Sequence, residues 1–314
     1  MGGVGTIIQS ICAIALVIVA GWVARRTGAL PEGTERVLTN LVYWLAAPAL
    51  LFSTIAVTDI RSLLGAPLQV AAVSGVGSAL VFAAVAALTL RPPAPELVLG
   101  SMSASLNNAA YIGVPIALYV LGDAVHGVPI MVFQLGFFTP MFFVLADLVG
   151  NHRRPTPGIV VRGVVTNPMV IAAFAGFVCA WFSVPLPEVL TVSTTMVGEA
   201  APPVVLLAFG ASLFGQRFRL HSRAGALIAL ASVTKLVVQP GIALLVGHLL
   251  GLRGAGLMAV TVMAALPTAQ NAFIASTRAH AGEEVAQGAV LVTTFASLPV
   301  VLVIAWVFHA FLGV

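Results

Sequence analysis

The sequence predicts an all-α polytopic membrane protein, with ten transmembrane helices in two inverted five-helix repeats and helices 4 and 9 broken and crossing. Three observations carry this expectation. The first is composition: of 314 residues, 60% are hydrophobic and 8% are charged, against roughly a quarter charged in a soluble domain. Such a chain has too little polar surface to stay in water. The second is the recurrence of apolar segments at the length of about 20 residues that one crossing needs. The third is a set of prolines that repeats between the two halves. Alternating short strands are absent, which argues against a membrane barrel.

The ten segments fall at approximately 6–24, 37–57, 66–90, 97–121, 128–149, 164–184, 188–213, 224–250, 255–277 and 286–311. Their connections are short and leave no room for a soluble domain. The chain thus divides into a first repeat over 1–150, a connection over 151–163 and a second repeat over 164–314. The first segment differs from a signal peptide. It has no basic region before it, and Arg25 and Arg26 come after it instead.

Arginines set the topology. Arg25, Arg26, Arg36, Arg91, Arg153, Arg154, Arg162, Arg217, Arg219, Arg223 and Arg278 fall on one side, and only Arg61 and Arg253 on the other. This positive-inside bias puts the 151–163 connection in the cytoplasm and both termini outside the inner membrane.

Five spans per half make the halves enter the membrane from opposite sides, as inverted repeats do. Ala46-Ala-Pro48 in the second span matches Ala200-Ala-Pro202 in the seventh. Gly113-Val-Pro115 matches Ala265-Leu-Pro267, and Pro140 matches Pro299. The offsets are 154, 152 and 159 residues, close to constant.

The fourth span carries Leu106-Asn-Asn-Ala-Ala-Tyr-Ile-Gly-Val-Pro115. Gly113 loosens the backbone, and Pro115 has no N–H for the Tyr111 carbonyl. Asn107 and Asn108 stand about two turns earlier. A helix interrupted at mid-membrane depth is tolerated only inside protein or against a water-filled cavity, and in secondary transporters substrate binds there. A plain proline kink is the alternative, and the matching Pro267 in the ninth span favours the functional reading. That span continues with Gln270 and Asn271. Two half-helix starts with these amides as donors suit an anionic group such as a carboxylate. The competing role for the amides is to tie helices together, a role as strong for Asn107 as substrate contact. Adjacent residues of a helix do not both face one cavity.

Intramembrane charges are functional candidates by default. Lys235 is the cation at mid-depth of the eighth span, and Glu199 lies about as deep in the seventh. Consecutive spans allow an ion pair, either static or coupled to a proton. Asp147 reaches toward the headgroups, and Gln134, Thr139 and Gln239 are weaker candidates for a cavity lining. Phe273 stands near the ninth-span break and Tyr111 near the fourth.

Other classes are disfavoured. The net charge of +4 comes from loop arginines rather than a basic patch with aromatics, so nucleic acid is not expected as a partner. Cys12 and Cys179 lie within apolar segments, as small apolar residues do. No cofactor or metal is expected, since the histidines are dispersed and carboxylates are not clustered. No phosphate-binding loop is present, so the chain does not draw on ATP; coupling to a proton or to sodium and uniport all stay open.

Gly21-Trp-Val-Ala-Arg-Arg-Thr-Gly-Ala-Leu-Pro31 and Asn40-Leu-Val-Tyr-Trp-Leu-Ala-Ala-Pro-Ala-Leu-Leu-Phe52 closely resemble the auxin efflux carrier family. That family includes the plant PIN-FORMED proteins and bacterial carriers labelled as malonate or other organic-acid transporters. Asn108, Gly113 and Pro115 match its crossover motif. Asn167-Pro168, Gly210-Ala-Ser-Leu213 and Ala264-Ala-Leu-Pro267 are similar to it as well. The resemblance implies a sodium/proton-antiporter-like or bile-acid-symporter-like fold, with a scaffold and a transport domain each built from both repeats. It also implies elevator-type alternating access, a homodimer, and Asn108 contacting a substrate carboxylate beside the crossover prolines. Auxin and a dicarboxylate such as malonate both satisfy that chemistry. Ala272 stands where plant members commonly have a second proline, and Glu199 where relatives carry a small residue. The rival functions are a sodium-coupled bile-acid-like symporter and a non-transporting receptor.

Overall fold

The computed structural model describes residues 2–57, 65–113, 116–117, 120–122, 124–150, 161–162, 165–215 and 222–312, with backbone alone at 2–12, 14, 110, 111, 124, 125, 311 and 312. Pro115, Arg61, Arg153, Arg154, Arg217 and Arg219, and the side chains of Tyr111 and Cys12, lie outside the described part.

The described chain is helical: α1 (Gly2–Arg26), α2 (Thr34–Ala56), α3 (Ala66–Thr89), α4 (Ala94–Ser103), α5 (Val128–Gly150), α6 (Pro168–Trp181), α7 (Glu188–Ser212), α8 (Arg223–Leu249), α9 (Gly254–Ala264), α10 (Asn271–Ala279) and α11 (Glu283–Leu312). Six of them, α2, α3, α5, α7, α8 and α11, are long and apolar enough to cross a membrane, and α6 and α9 are shorter apolar helices. Large apolar side chains such as Leu16, Phe174, Val189 and Trp306 face outward, so the surface is one that only lipid or protein can cover. This is a multi-pass membrane protein.

Prolines start several of these helices, where a missing N–H costs nothing: α3, α4, α6 and the second part of α7 carry Pro at their first turn. Asn167 caps α6, its Oδ1 accepting from the N–H groups of Met169 and Val170 at 2.9 and 3.3 Å. Three prolines inside helices are absorbed differently, while Pro299 sits in α11 without a π-helical turn. The π-helical turns Val42–Ala46, Gln134–Phe138 and Thr234–Val238 each end two residues before a proline, Pro48, Pro140 and Pro240. A wider turn gives room to the carbonyl that the proline ring would otherwise strike.

The helices pack in two groups. In one, α1 lies along α7, and α2 packs against both α6 and α7. Glycine allows the closest crossing: a Cβ on Gly210 of α7 would fall 1.9 Å from the Ile18 carbonyl oxygen, and one on Gly21 of α1 2.2 Å from that of Leu207. In the other group, α3 packs on α8, and α4, α5, α9, α10 and α11 close around them. The groups meet where α6 touches α5 and α10 touches α2.

The interruption at the end of α4 differs from the sequence expectation. It begins after Ser103, so Gly113 and Pro115 do not cause it; Gly113 belongs to a π-helical turn, Ala109–Gly113. The cause lies in the serines. Ser101, Ser103 and Ser105 turn their hydroxyls back onto the carbonyls of Leu97, Leu99 and Ser101, which weakens a helix. Donors from other elements then take its last carbonyls: Thr268 Oγ1 bonds the Ser103 oxygen at 2.7 Å, Ser78 Oγ that of Ala104 at 2.6 Å, and Gln239 Nε2 that of Ser105 at 3.1 Å. Pro115, matched to Pro267 in the sequence, lies outside the described residues, and the residue that bridges Thr268 is Asn107.

Candidate functional site

The site forms where two extended segments, between α4 and the Ala109 turn and between α9 and α10, cross and pair. The Asn108 N–H donates to the Pro267 carbonyl at 2.8 Å, and the Ala269 N–H to that of Leu106 at 3.0 Å. Asn107 and Thr268 face each other in an isolated antiparallel bridge. Each of these two residues has its own N–H taken by a side chain from a neighbouring long helix. Gln134 Oε1 of α5 accepts from Asn107 at 3.0 Å, and Thr293 Oγ1 of α11 accepts from Thr268 at 2.9 Å. These bonds cover irregular backbone in an apolar interior, where each unpaired group is costly.

Lys235 ties the crossing from behind. It is fully buried on the π-helical turn of α8. Its Nζ donates to the Ala264 carbonyl, the last of α9, at 2.9 Å, and to Asn107 Oδ1. An ammonium has no acceptor, so it holds the Asn107 amide with oxygen toward itself and Nδ2 turned away. The expected partner, Glu199, is elsewhere: it is exposed at the end of the first part of α7. The sequence placed both at similar depth, but depth does not set the side of a helix a residue faces.

In front of the crossing is a cavity of about 40 Å³. Asn107, Asn108, Gln270 and Asn271 line it from the crossing, Gln134 and Thr139 from α5, and apolar residues of α2 and α7 from the other helix group. Both asparagines reach it because they lie on extended backbone, not on the helix the sequence implied. Asn107 Nδ2, Asn108 Nδ2 and both polar side-chain atoms of Gln270 are buried with no hydrogen-bond partner. Unpaired buried amides are rare in native proteins, and these line one small space.

The other candidates are dispersed around this centre. Pro267 lies in the crossing, and Gly113 is buried behind it with Leu266 and Met263 close by. Phe273 packs edge-on against Phe209 of α7, ring centroids 5.3 Å apart. Asp147 does not reach outward. It takes Arg278 Nε at 2.9 Å and the Tyr43 hydroxyl at 3.4 Å, and the Arg278 guanidinium lies 3.8 Å over the Tyr43 ring. Among the described residues no group of three or more His, Cys, Asp or Glu could hold a metal ion. Thr268, Thr293 and Ser78 were missed by sequence reasoning. Their only signal is a hydroxyl at mid-span, and hydroxyls usually satisfy themselves on their own helix.

Comparison with known proteins agrees with a membrane protein that transports. A model of the family described as "Membrane transport protein" matches residues 6–146 and 152–305. A protein of Rhizobium meliloti (strain 1021), described as "Putative malonate transporter", is 27% identical over 276 residues, covering 84% of each chain. An "Uncharacterized transporter" of Methanocaldococcus jannaschii is 21% identical over 306 residues, covering 94% of this chain and 96% of its own. With nearly the whole chain matched, this protein belongs to the membrane transport protein family, a family of transporters and not of enzymes.

Proposed function

We propose that the protein is a secondary active transporter of small organic anions, which binds a carboxylate at the crossing and carries it by elevator-type alternating access. The observation that supports this most is the set of unpaired amides. Asn108 Nδ2, Asn107 Nδ2 and Gln270 Nε2 are donors without acceptors, buried beside one cavity. A carboxylate offers about four lone-pair sites and would satisfy them together. The description of the Rhizobium meliloti relative supports a dicarboxylate such as malonate, and indole-3-acetate is the monocarboxylate to test beside it.

In this reading the helices make ten spans in two inverted repeats. The paired bonds of the crossing support that arrangement. Gln134 to Asn107 corresponds to Thr293 to Thr268, and Ser78 to Ala104 corresponds to Lys235 to Ala264, with partners about 160 residues apart in each case. The group of α1, α2, α6 and α7 is the scaffold through which two copies dimerise, and the other group moves. The bilayer is the inner membrane, with both termini outside.

The test is uptake of radiolabelled malonate and indole-3-acetate into proteoliposomes. Asn108→Ala is expected to lower the initial rate by at least roughly tenfold, the effect of losing one hydrogen bond to a charged group, while the thermal unfolding profile is kept. Wild-type rates in the variant would remove Asn108 from the site, and a wild type that moves neither anion would favour a receptor that does not transport.

A further inference from the structure

Lys235 is a charge in the wrong place by the usual rules. It is fully buried at the middle of α8. Among the described residues the ion pairs are Arg223 with Glu96 and Arg278 with Asp147, and neither includes it. An unpaired buried charge is strongly destabilising unless something nearby is arranged to receive it. Here that something is oxygen. Ala264, whose carbonyl accepts from Nζ, closes α9, so this oxygen sits at the negative end of a half-helix. Asn107 supplies an amide oxygen from the other broken segment. One turn further along α8, Gln239 donates to Ser105 just past the end of α4, and its Oε1 is buried without a partner. Carbonyl and amide oxygens gathered at two helix ends make the kind of shell that binds a hard cation.

We infer that Lys235 is a tethered cation. Its ammonium fills the oxygen-lined position between the two broken helices that a free monovalent cation would otherwise take, and through Asn107 it positions a donor for the anion. The inference rests on the carboxylate reading of the crossing. Lys235 holds Asn107 Oδ1, so Nδ2 is left to face the cavity, and an amide polarised by a cation on its oxygen is a stronger donor at its nitrogen. Lys235 acts on the substrate through Asn107, so it is a positioning residue. The positive charge that partners the anion is thereby part of the chain, and transport needs no sodium to supply it.

The experiment measures initial uptake of malonate and of indole-3-acetate in proteoliposomes with sodium, potassium or choline as the external cation. Wild type is expected to run at the same rate in all three. Lys235→Ala, which opens the position, is expected to lose at least roughly tenfold in choline and to regain rate with increasing sodium or methylammonium, along a saturation curve that wild type lacks. Lys235→Met keeps the stem and blocks the position, so it is expected to be slow in every buffer. Thermal unfolding of each variant checks that it is folded. A wild type that requires sodium, a Lys235→Ala that runs normally in choline, or a loss that no cation restores in folded protein overturns the tethered cation and leaves the transport reading standing. A wild type that moves neither anion overturns both.

Discussion

At the scale of single residues, the crossing is held by side chains that satisfy backbone groups. Thr293 is the clearest case. It is fully buried, accepts from the Thr268 N–H, and gives its own proton to the Ala289 carbonyl one turn back. Thr293→Val preserves shape and removes the acceptor. The Thr268 N–H would then be buried and unpaired, a cost of about 1–3 kcal/mol. The expected result is a lower unfolding temperature in detergent with the expression level maintained; an unchanged temperature would mean that Thr268 finds another partner. The sequence made the asparagines legible, because an amide in an apolar span is conspicuous. It hid the threonines, whose hydroxyls look self-satisfied, and it misassigned Glu199, because composition reports depth and not facing. The fully buried Lys235 was conspicuous too, but its partner turned out to be an amide and a carbonyl instead of a carboxylate.

At the scale of elements, the sequence reads Pro115 and Pro267 as breaks, and the structure shows a second use of proline. Pro267 does lie in an interruption. Pro48, Pro140 and Pro240 instead come just after π-helical turns within continuous helices. Those turns carry Tyr43, Gln134 and Lys235, three side chains that reach across to other elements. The extra residue in each turn rotates the side chains before it relative to those after it, so a helix can pack on one face and present a polar group on another. Pro240→Ala tests this. With an N–H restored, the turn can relax to an ordinary α-helical one, which the helix propensity of alanine favours. The unfolding temperature is expected to stay or rise, while uptake falls because Lys235 is turned away from Ala264. Equal uptake would show that the π-helical turn does not set the lysine's aim. The interruption after Ser103 was not legible from proline at all. It is made by serines and by donors remote in sequence, and no local pattern reports those.

At the scale of the molecule, the cavity lies between two helix groups, where the proposed carrier would have to move. A volume of about 40 Å³ admits a few water molecules and is too small for malonate or indole-3-acetate. In the proposed carrier, α2 and α7 would part from the crossing to admit substrate. Where the groups meet beyond the cavity, Arg278 of α10 is bonded to Asp147 of α5 and lies over Tyr43 and Trp44 of α2, 3.8 and 5.2 Å from their ring centres. If one group slides past the other, these contacts must break on every cycle. Cysteines placed at Tyr43 and Arg278, in a chain whose Cys12 and Cys179 are replaced, give a direct test. Joining them with a short bifunctional maleimide is expected to abolish uptake, whereas either single cysteine treated alike keeps the activity it had before treatment. A disulfide-containing linker that is cleaved by reductant should restore transport, which separates a stalled movement from damage to the fold. Full uptake by the crosslinked protein would mean that the two groups stay together while substrate passes, and the carrier would then have to work by local gating around the crossing.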